Sequence, residues 1–273
     1  MLSGSGRSRA CLVNGAGTSP GVSAAPGPQV FAFAEVGSAL DAALELAQEG
    51  RLDIWDSVLA ESQTAGRGQL RRRWHSPPGN IYAALRLPVS PPFDGGGAAA
   101  AVGVLAAEAL EALGWRAAIK WPNDLILETA AGPRKAAGIL LEERGGVLLA
   151  GIGVNVATRP ATDALRPEAA LGATCLAENA AGRPLPPASE LWARLVSHMV
   201  SAYTDARIFA RTWRRRAEER LLWLGRQVTV IDGAEALEGR LTGLWPSGGL
   251  RLVTQKGALE CTGGSLRPRD GAK

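Results

Sequence analysis

Apolar and polar positions divide this chain into helical and extended stretches that together read as α+β. Leu40, Ala43, Leu44 and Ala47 recur at helical spacing, so residues 38–48 read as a helix. Ser38 stands as its N-cap, Asp41 as a weak capping-box partner, and Gly50 as its stop. Residues 98–113 form an alanine-rich helical stretch ended by Gly114, and residues 189–203 and 206–219 read as two further helices. Short apolar runs at 55–60, 80–87, 117–121, 125–127, 135–142 and 147–156 read as strands, with a Gly132-Pro133 turn before the fifth. A helical turn is expected at 170–177. After Gly225 the runs become short and close-spaced, with turn signals at Asp232-Gly233 and Ser247-Gly248-Gly249. The expected fold is a mixed β-sheet domain packed with helices over residues 29–222, then a small β-barrel over 223–269. Residues 1–28, rich in Gly, Ser, Ala and Pro, read as a disordered tail.

Composition changes this picture little. A chain of 273 residues with 46% hydrophobic content is ordinary for a globular protein, and no apolar run approaches the roughly 20 residues that span a bilayer. The expectation is therefore no membrane partner. Cys11, Cys175 and Cys261 are few and scattered, and His75 and His198 are the only histidines. That disfavours a disulfide framework, a metal site and histidine-based nucleophilic catalysis, and fits a reducing cytoplasm. The net charge of +4 is carried almost wholly by arginine. Lysine occurs only at Lys120, Lys135, Lys256 and Lys273, so a lysine inside a motif stands out. No nucleic-acid-binding motif accompanies the arginines, and Arg214, Arg215 and Arg216 read as a solvated helix face.

Three segments carry candidate chemistry. The first runs from Glu61 to Asn80 and places Arg67, Arg71, Arg72 and Arg73 near Gly66 and Gly68, then Trp74 and a Pro-Pro-Gly turn. Glycine lets backbone approach a ligand closely, and guanidinium groups pair with phosphate or carboxylate oxygens, so the segment reads as an anion-binding loop. The second is Lys120-Trp121-Pro122-Asn123-Asp124 at a strand end, and the third is Gly151-Ile152-Gly153-Val154-Asn155. Together they offer cations, glycine-lined walls and stacking rings, without an evident base, nucleophile or metal cluster. Such an inventory suits adenylation of a carboxylate better than hydrolysis, and it equally suits a protein that only binds an anionic ligand.

From Val30 to Arg269 the sequence resembles the biotin–protein ligases. The ordered matches are Gln63 to Gly68, Trp74 with Ser76-Pro77 and Gly79-Asn80, Lys120 to Asp124, Lys135 with Gly138 to Glu142, and Gly151 to Asn155. The resemblance implies an SH3-like C-terminal β-domain, biotin and ATP as substrates with Mg²⁺, and biotinyl-5′-AMP as the intermediate. It implies transfer to a lysine of a biotin carboxyl carrier domain, such as that of acetyl-CoA carboxylase. It makes Lys120 and Arg67 the catalytic pair. Ser38, Ala39, Leu40, Gln63, Gly66, Arg67, Gly68, Gln69, Lys120 and Gly138 become the biotin-binding set. Arg67, Arg72, Trp74, Asn123, Gly153 and Asn155 become the adenylate-binding set, with no metal ligand from the protein. Some family members carry a winged helix and act as repressors; no such segment is expected here, nor a nucleic-acid partner, and a homodimer is left open.

Two departures from the family pattern bear on the substrate. Ser38-Ala39-Leu40 stands where the family usually has Ser-Thr-Asn, removing a hydroxyl and an amide from the biotin end. Gln69-Leu70-Arg71-Arg72 stands where the family continues with Arg-x-Gly-Arg. Each lost charge-assisted hydrogen bond costs about 1.5–3 kcal/mol. Three readings therefore stay open: a biotin ligase, a ligase for another acid such as lipoate, and a non-catalytic adenylate binder.

Overall fold

The computed structural model describes residues 11–12, 27–69, 72–160 and 171–269. Two sheets organise it. The larger has eight strands: β1 (Cys11–Leu12), β2 (Val30–Val36), β3 (Ser57–Gln63), β4 (Ile81–Leu87), β5 (Ala117–Lys120), β6 (Asp124–Thr129), β7 (Gly132–Arg144) and β8 (Val147–Val154). Their order is β1-β2-β3-β4-β8-β7-β6-β5, antiparallel except for the β2–β3 pair. The smaller sheet is antiparallel, with β9 (Gln227–Asp232), β10 (Glu235–Leu244), β11 (Leu250–Thr254), β12 (Gly257–Cys261) and β13 (Ser265–Pro268). It corresponds to the expected SH3-like β-domain, although β13 carried no signal of its own. Of the tail expected at 1–28, Cys11–Leu12 pairs with β2 and residues 27–28 are described; the rest lies outside the described residues.

The large sheet buries both faces, which decides where a ligand can enter. One face packs α2 (Ala98–Ala112), α3 (Ala188–Ala202) and α4 (Ala206–Glu218) over a core that includes Leu85, Leu105, Ile119, Ile152 and Trp192. Alanine and glycine dominate the buried side of α2, so it approaches the strands closely: a Cβ at Gly103 would stand 3.6 Å from Ile119 Cδ1. The other face holds one helix, α1 (Ala39–Gln48), seated on β3, β4 and β8 through Leu40, Ala43, Val58, Ala84 and Leu149. Because α1 covers only part of that face, the stretch of sheet beside it is left for a cavity.

Several boundaries differ from the expectation for local reasons. β3 begins at Ser57, because Trp55 adopts a left-handed φ of 73° and Asp56 turns inward to accept from the Gln29 and Asp53 amides. Ser38 occupies the N-cap position of α1 but makes no side-chain capping bond, and Asp41 pairs with Arg67 instead. Gly132 and Pro133 belong to β7 itself. The turn expected at 170–177 is replaced by a 3-10 turn at Ala177–Asn179; residue 170 lies outside the described residues. Arg216 is no solvated residue: it pairs with Glu108 on α2 and lies 4.9 Å over the Phe209 ring, so it ties α4 to α2.

Candidate functional site

One register row crosses the large sheet and sets the floor of the site. Lys120, Asp124, Gly138, Gly153, Tyr82 and Ala60 are successive partners from β5 to β3. Side chains alternate across a strand, so Gly138, Leu140, Gly151, Gly153 and Asn155 line the face that α1 partly covers, while Ile139, Ile152 and Val154 enter the core. A cavity of about 550 Å³ lies on that floor. The size suits a small-molecule ligand.

The glycines have separate purposes. A Cβ at Gly151 would stand 3.0 Å from Leu40 Cδ1, so this glycine admits α1. A Cβ at Gly153 would stand 2.7 Å from the Trp74 ring, and one at Gly138 3.0 Å from it. Trp74 therefore lies flat on paired glycine backbone. Its Nε1 is buried without a hydrogen-bond partner, a position that costs about 1–3 kcal/mol until an acceptor arrives.

The arginine segment folds into a small hairpin. Arg67 and Arg73 form a bridge, Gly68 N–H donates to Arg72 O at 2.7 Å, and Trp74 N–H donates to Gly66 O at 2.8 Å. Gly66 is required where it stands, because a Cβ would come within 2.7 Å of Trp74 O. Gln63 anchors the hairpin base: its Oε1 accepts from Ala39 N–H at 2.9 Å, and its Nε2 donates to Ser76 Oγ at 2.9 Å. Gln69 and Arg72 reach the cavity rim as exposed side chains. Arg71 lies outside the described residues.

Arg67 lines the cavity, yet its donors are committed elsewhere. Its terminal nitrogens bond both Asp41 oxygens, at 2.5 and 2.7 Å, and its Nε donates to Glu142 at 3.2 Å. The hydrogen bonds to Asp41 push the guanidinium further above its ordinary pKa, and the same bonds hold the Asp41 carboxyl below its own. Arg144 adds contacts of 2.7 Å to Glu142 and 3.7 Å to Asp41. Arg67 thereby ties the hairpin to α1 and β7.

Lys120 ends β5, almost wholly buried, with its Nζ 3.8 Å from Asp124 Oδ2. The other Asp124 oxygen accepts from Lys135 Nζ at 2.5 Å, and that ammonium lies 5.2 Å from the Trp74 ring centroid. Asn123 Nδ2 donates to Ile139 O at 2.7 Å, which braces β6 on β7. Asn155 Nδ2 donates to Thr174 O at 3.0 Å, pinning the 171–176 segment over one end of the cavity. Ser38 and Leu40 stand at the opposite end, and Gly264 and Ser265 of the small sheet reach the rim. Trp121 Nε1 donates to Gly248 O at 2.9 Å, so the small sheet docks beside Lys120.

The structure thus brings every expected site residue to this region. Gly66 contributes as backbone support, and Arg67 through its ion pairs. Lys135 and Tyr82 were not expected in the site. Lys135 had a signal, being one of four lysines and part of a matched segment. Burial lifts the Tyr82 phenol above its ordinary pKa, and its hydroxyl donates to Pro77 O at 2.7 Å, bracing the hairpin exit. Among the described residues that line the cavity, Asp124 carries the one carboxylate, and both lysines engage it. Magnesium is usually held by one or two carboxylates together with substrate phosphates, so the protein alone does not build a cage for it here.

The arginine hairpin thus borders a glycine-floored cavity on the mixed sheet. Residues 49–158 match the model of the biotin/lipoate A/B protein ligase family. Over 139 residues it is 42% identical to the biotin–[acetyl-CoA-carboxylase] ligase of Paracoccus denitrificans, covering 46% of this chain and 54% of that one. Over 119 residues it is 40% identical to the bifunctional ligase/repressor BirA of Escherichia coli (strain K12), covering 40% and 36%. The aligned stretches thus span about half, or less, of these curated relatives' lengths. In structure it is similar to the biotin protein ligase of Aquifex aeolicus in complex with biotin and ATP, with a TM-score of 0.70 and 26% identity over 88% of this chain and 98% of that one.

Proposed function

We propose that the chain activates biotin with ATP to biotinyl-5′-AMP and transfers the acyl group to a lysine of a biotin carboxyl carrier domain. The observation that carries this reading is the Lys120–Asp124–Gly138–Gly153 row beneath the arginine hairpin. It puts the buried Lys120 ammonium in the lining of a cavity of about 550 Å³ that also includes Ser38, Leu40, Trp74 and Asn155. In the reaction the acid's carboxylate oxygen bonds to the α-phosphorus while the α–β P–O bond breaks and pyrophosphate leaves. Lys120 neutralises charge that accumulates on the carboxylate and phosphate oxygens. Trp74 provides a flat wall and an N–H in search of an acceptor, and Asn155 closes the nucleotide end. Ser38, Leu40 and Gln63 shape the acid end. Arg67 contributes by holding the hairpin closed.

Residues 29–222 form the catalytic unit in this reading and 223–269 a β-unit docked beside Lys120. Magnesium would accompany the triphosphate, screening its charge; no step above depends on it. The partner is a carrier domain of acetyl-CoA carboxylase or a related carboxylase, with no nucleic acid involved. A homodimer is compatible with the reading. No helix among the described residues is long and apolar enough to cross a membrane, and Cys175 and Cys261 are free, which fits a cytoplasmic setting.

A second reading is favoured by one observation. The acid end is walled by Ala39 and the buried Leu40, and the Ala39 N–H is spent on Gln63. An acid with an apolar tail, such as lipoate, would suit such an end better than a ureido ring. ATP–pyrophosphate exchange with a panel of carboxylic acids separates the two: exchange with biotin and not lipoate supports the first reading, and the reverse supports the second. Transfer from pre-formed biotinyl-AMP to a carrier domain then distinguishes an enzyme from a binder of the adenylate.

A further inference from the structure

A chain of directed hydrogen bonds runs from the exposed Arg159 and Glu178 to the buried Asn155, which lines the cavity. Most polar groups of Asn155 are committed. Its backbone N–H donates to Ala136 O at 2.8 Å, Ala136 being the extra residue of a bulge in which Leu125 pairs with Ala137 and Ile126 with Lys135. Its backbone O accepts from Leu176 N–H at 2.9 Å, and its Nδ2 donates to Thr174 O at 3.0 Å. A carbonyl only accepts, so that bond fixes which way the carboxamide is turned. The acceptor Oδ1 is the group left for a ligand. Thr174 is held in turn: it is buried and, unlike Leu171 and Ala173, is not among the cavity-lining residues. Its N–H donates to Lys135 O at 2.9 Å, its hydroxyl donates to Glu178 Oε2 at 2.9 Å, and the same Oγ1 accepts from Asn179 Nδ2 at 2.9 Å. Arg159 Nε donates to both Glu178 oxygens, at 2.8 and 3.1 Å. Burial works against the Glu178 charge, yet the bonds from Arg159 and Thr174 hold its carboxyl below the ordinary value, so it stays an acceptor and the Thr174 hydroxyl points one way.

We propose that Thr174 and Glu178 are positioning residues for the nucleotide end, holding the Asn155 carboxamide with its oxygen toward the ligand so that the site prefers a base with an amino group there. The assignment rests on the adenylation reading and deepens it, because it adds residues outside the cavity that set its choice of base. Adenine presents an exocyclic amino donor where guanine presents a carbonyl oxygen. Against Asn155 Oδ1 the first makes a hydrogen bond, and the second sets two acceptors face to face. With the amide free to turn, Nδ2 would serve guanine and the distinction would fade. Neither Thr174 nor Glu178 touches the reacting atoms; both act through Asn155.

The test titrates α,β-methylene ATP and α,β-methylene GTP into the full chain and into its Thr174→Val, Thr174→Ser and Glu178→Ala variants. The wild type should bind the adenine analogue at least about tenfold more tightly. Thr174→Val exchanges the hydroxyl for a methyl. Affinity for the adenine analogue should then fall by about 3- to 10-fold with little change for the guanine analogue, so that the preference narrows. Thr174→Ser should restore the preference, and acid affinity should stay within about twofold throughout. Glu178→Ala, at the exposed end of the chain of bonds, should repeat the narrowing, and it decides the matter if Thr174→Val does not fold. A merely structural Thr174 predicts lower stability, or equal loss for both analogues, with the ratio kept. An unchanged ratio in the folded variants overturns the proposal, as does a wild type that binds both analogues equally. A preference that is present in the wild type and lost in Thr174→Val, without exchange for any acid, would instead remove the adenylation reading and leave the positioning role standing.

Discussion

Arg67 and Asp41 form a two-pronged ion pair at 2.5 and 2.7 Å that fastens the arginine hairpin to the first turn of α1. The sequence offers Arg67 as a ligand-binding cation; in the folded chain its charge is already matched by Asp41 and Glu142. The hairpin therefore has a latch, and the cations nearest the floor are Lys120 and Lys135.

Breaking the latch should loosen the hairpin more than it weakens the fold. Both partners are partly exposed, so Asp41→Asn should cost only about 0.2–1 kcal/mol of global stability. Protease sensitivity and amide exchange confined to the hairpin should rise several-fold. Hydrogen-exchange mass spectrometry checks this, and unchanged exchange across residues 64–76 would contradict it.

The latch should also answer to acid. Asp41 is held below its ordinary value of 3.8, chiefly by its hydrogen bonds to Arg67. A carboxylate with a depressed folded pKa contributes stability that is present above the unfolded pKa and lost as pH falls through the folded one. Hairpin protection by this pair should be complete above about pH 4 and fall away below 3.8. Asp41→Asn should remove that part of the acid response.

Asn80 is a structural counterpart to these polar contacts. Its Oδ1 accepts from the backbone N–H groups of Val156, Ala157 and Thr158 at 2.8, 3.0 and 3.1 Å, and the residue is buried. Asn80→Ala would strand the buried Val156 donor beside the end of β8, at a cost of about 1–3 kcal/mol. Urea unfolding measures it; a loss under about 1 kcal/mol would show that water replaces the side chain.

Trp74 needs the glycine pair beneath it. Gly153→Ala places a methyl where the ring now lies, and overpacking of this kind typically costs about 1–3 kcal/mol. The ring should lift from the floor and nucleotide affinity should fall about tenfold or more with the fold retained. Affinity within twofold of the wild type would mean that Trp74 does not wall the nucleotide.

Much of this was legible before folding, and the part that was not shares a cause. Period and punctuation located α1, α2, α3, α4 and most strands, because apolar stripes and turn residues are local properties. The matched segments placed Lys120, Trp74, Gly138, Gly153 and Asn155 in one site, since each lies within or beside a motif. Long-range pairing was invisible. Nothing near Arg67 in sequence announces Asp41 and Glu142, 26 and 75 residues away. The bulge at Ala136 is a property of two strands in register, so an expected strand over 135–142 could not say which way Lys135 turns. Likewise Gly151 looked like a ligand approach, and its neighbour is Leu40 of α1.

The most direct test of the central claim is biotin-dependent ATP–pyrophosphate exchange by the purified chain and by Lys120→Ala. The account predicts exchange in the wild type and a loss of at least about 100-fold in the variant, which removes the buried charge proposed to face the reacting oxygens. Exchange that persists at the wild-type rate in Lys120→Ala would contradict it.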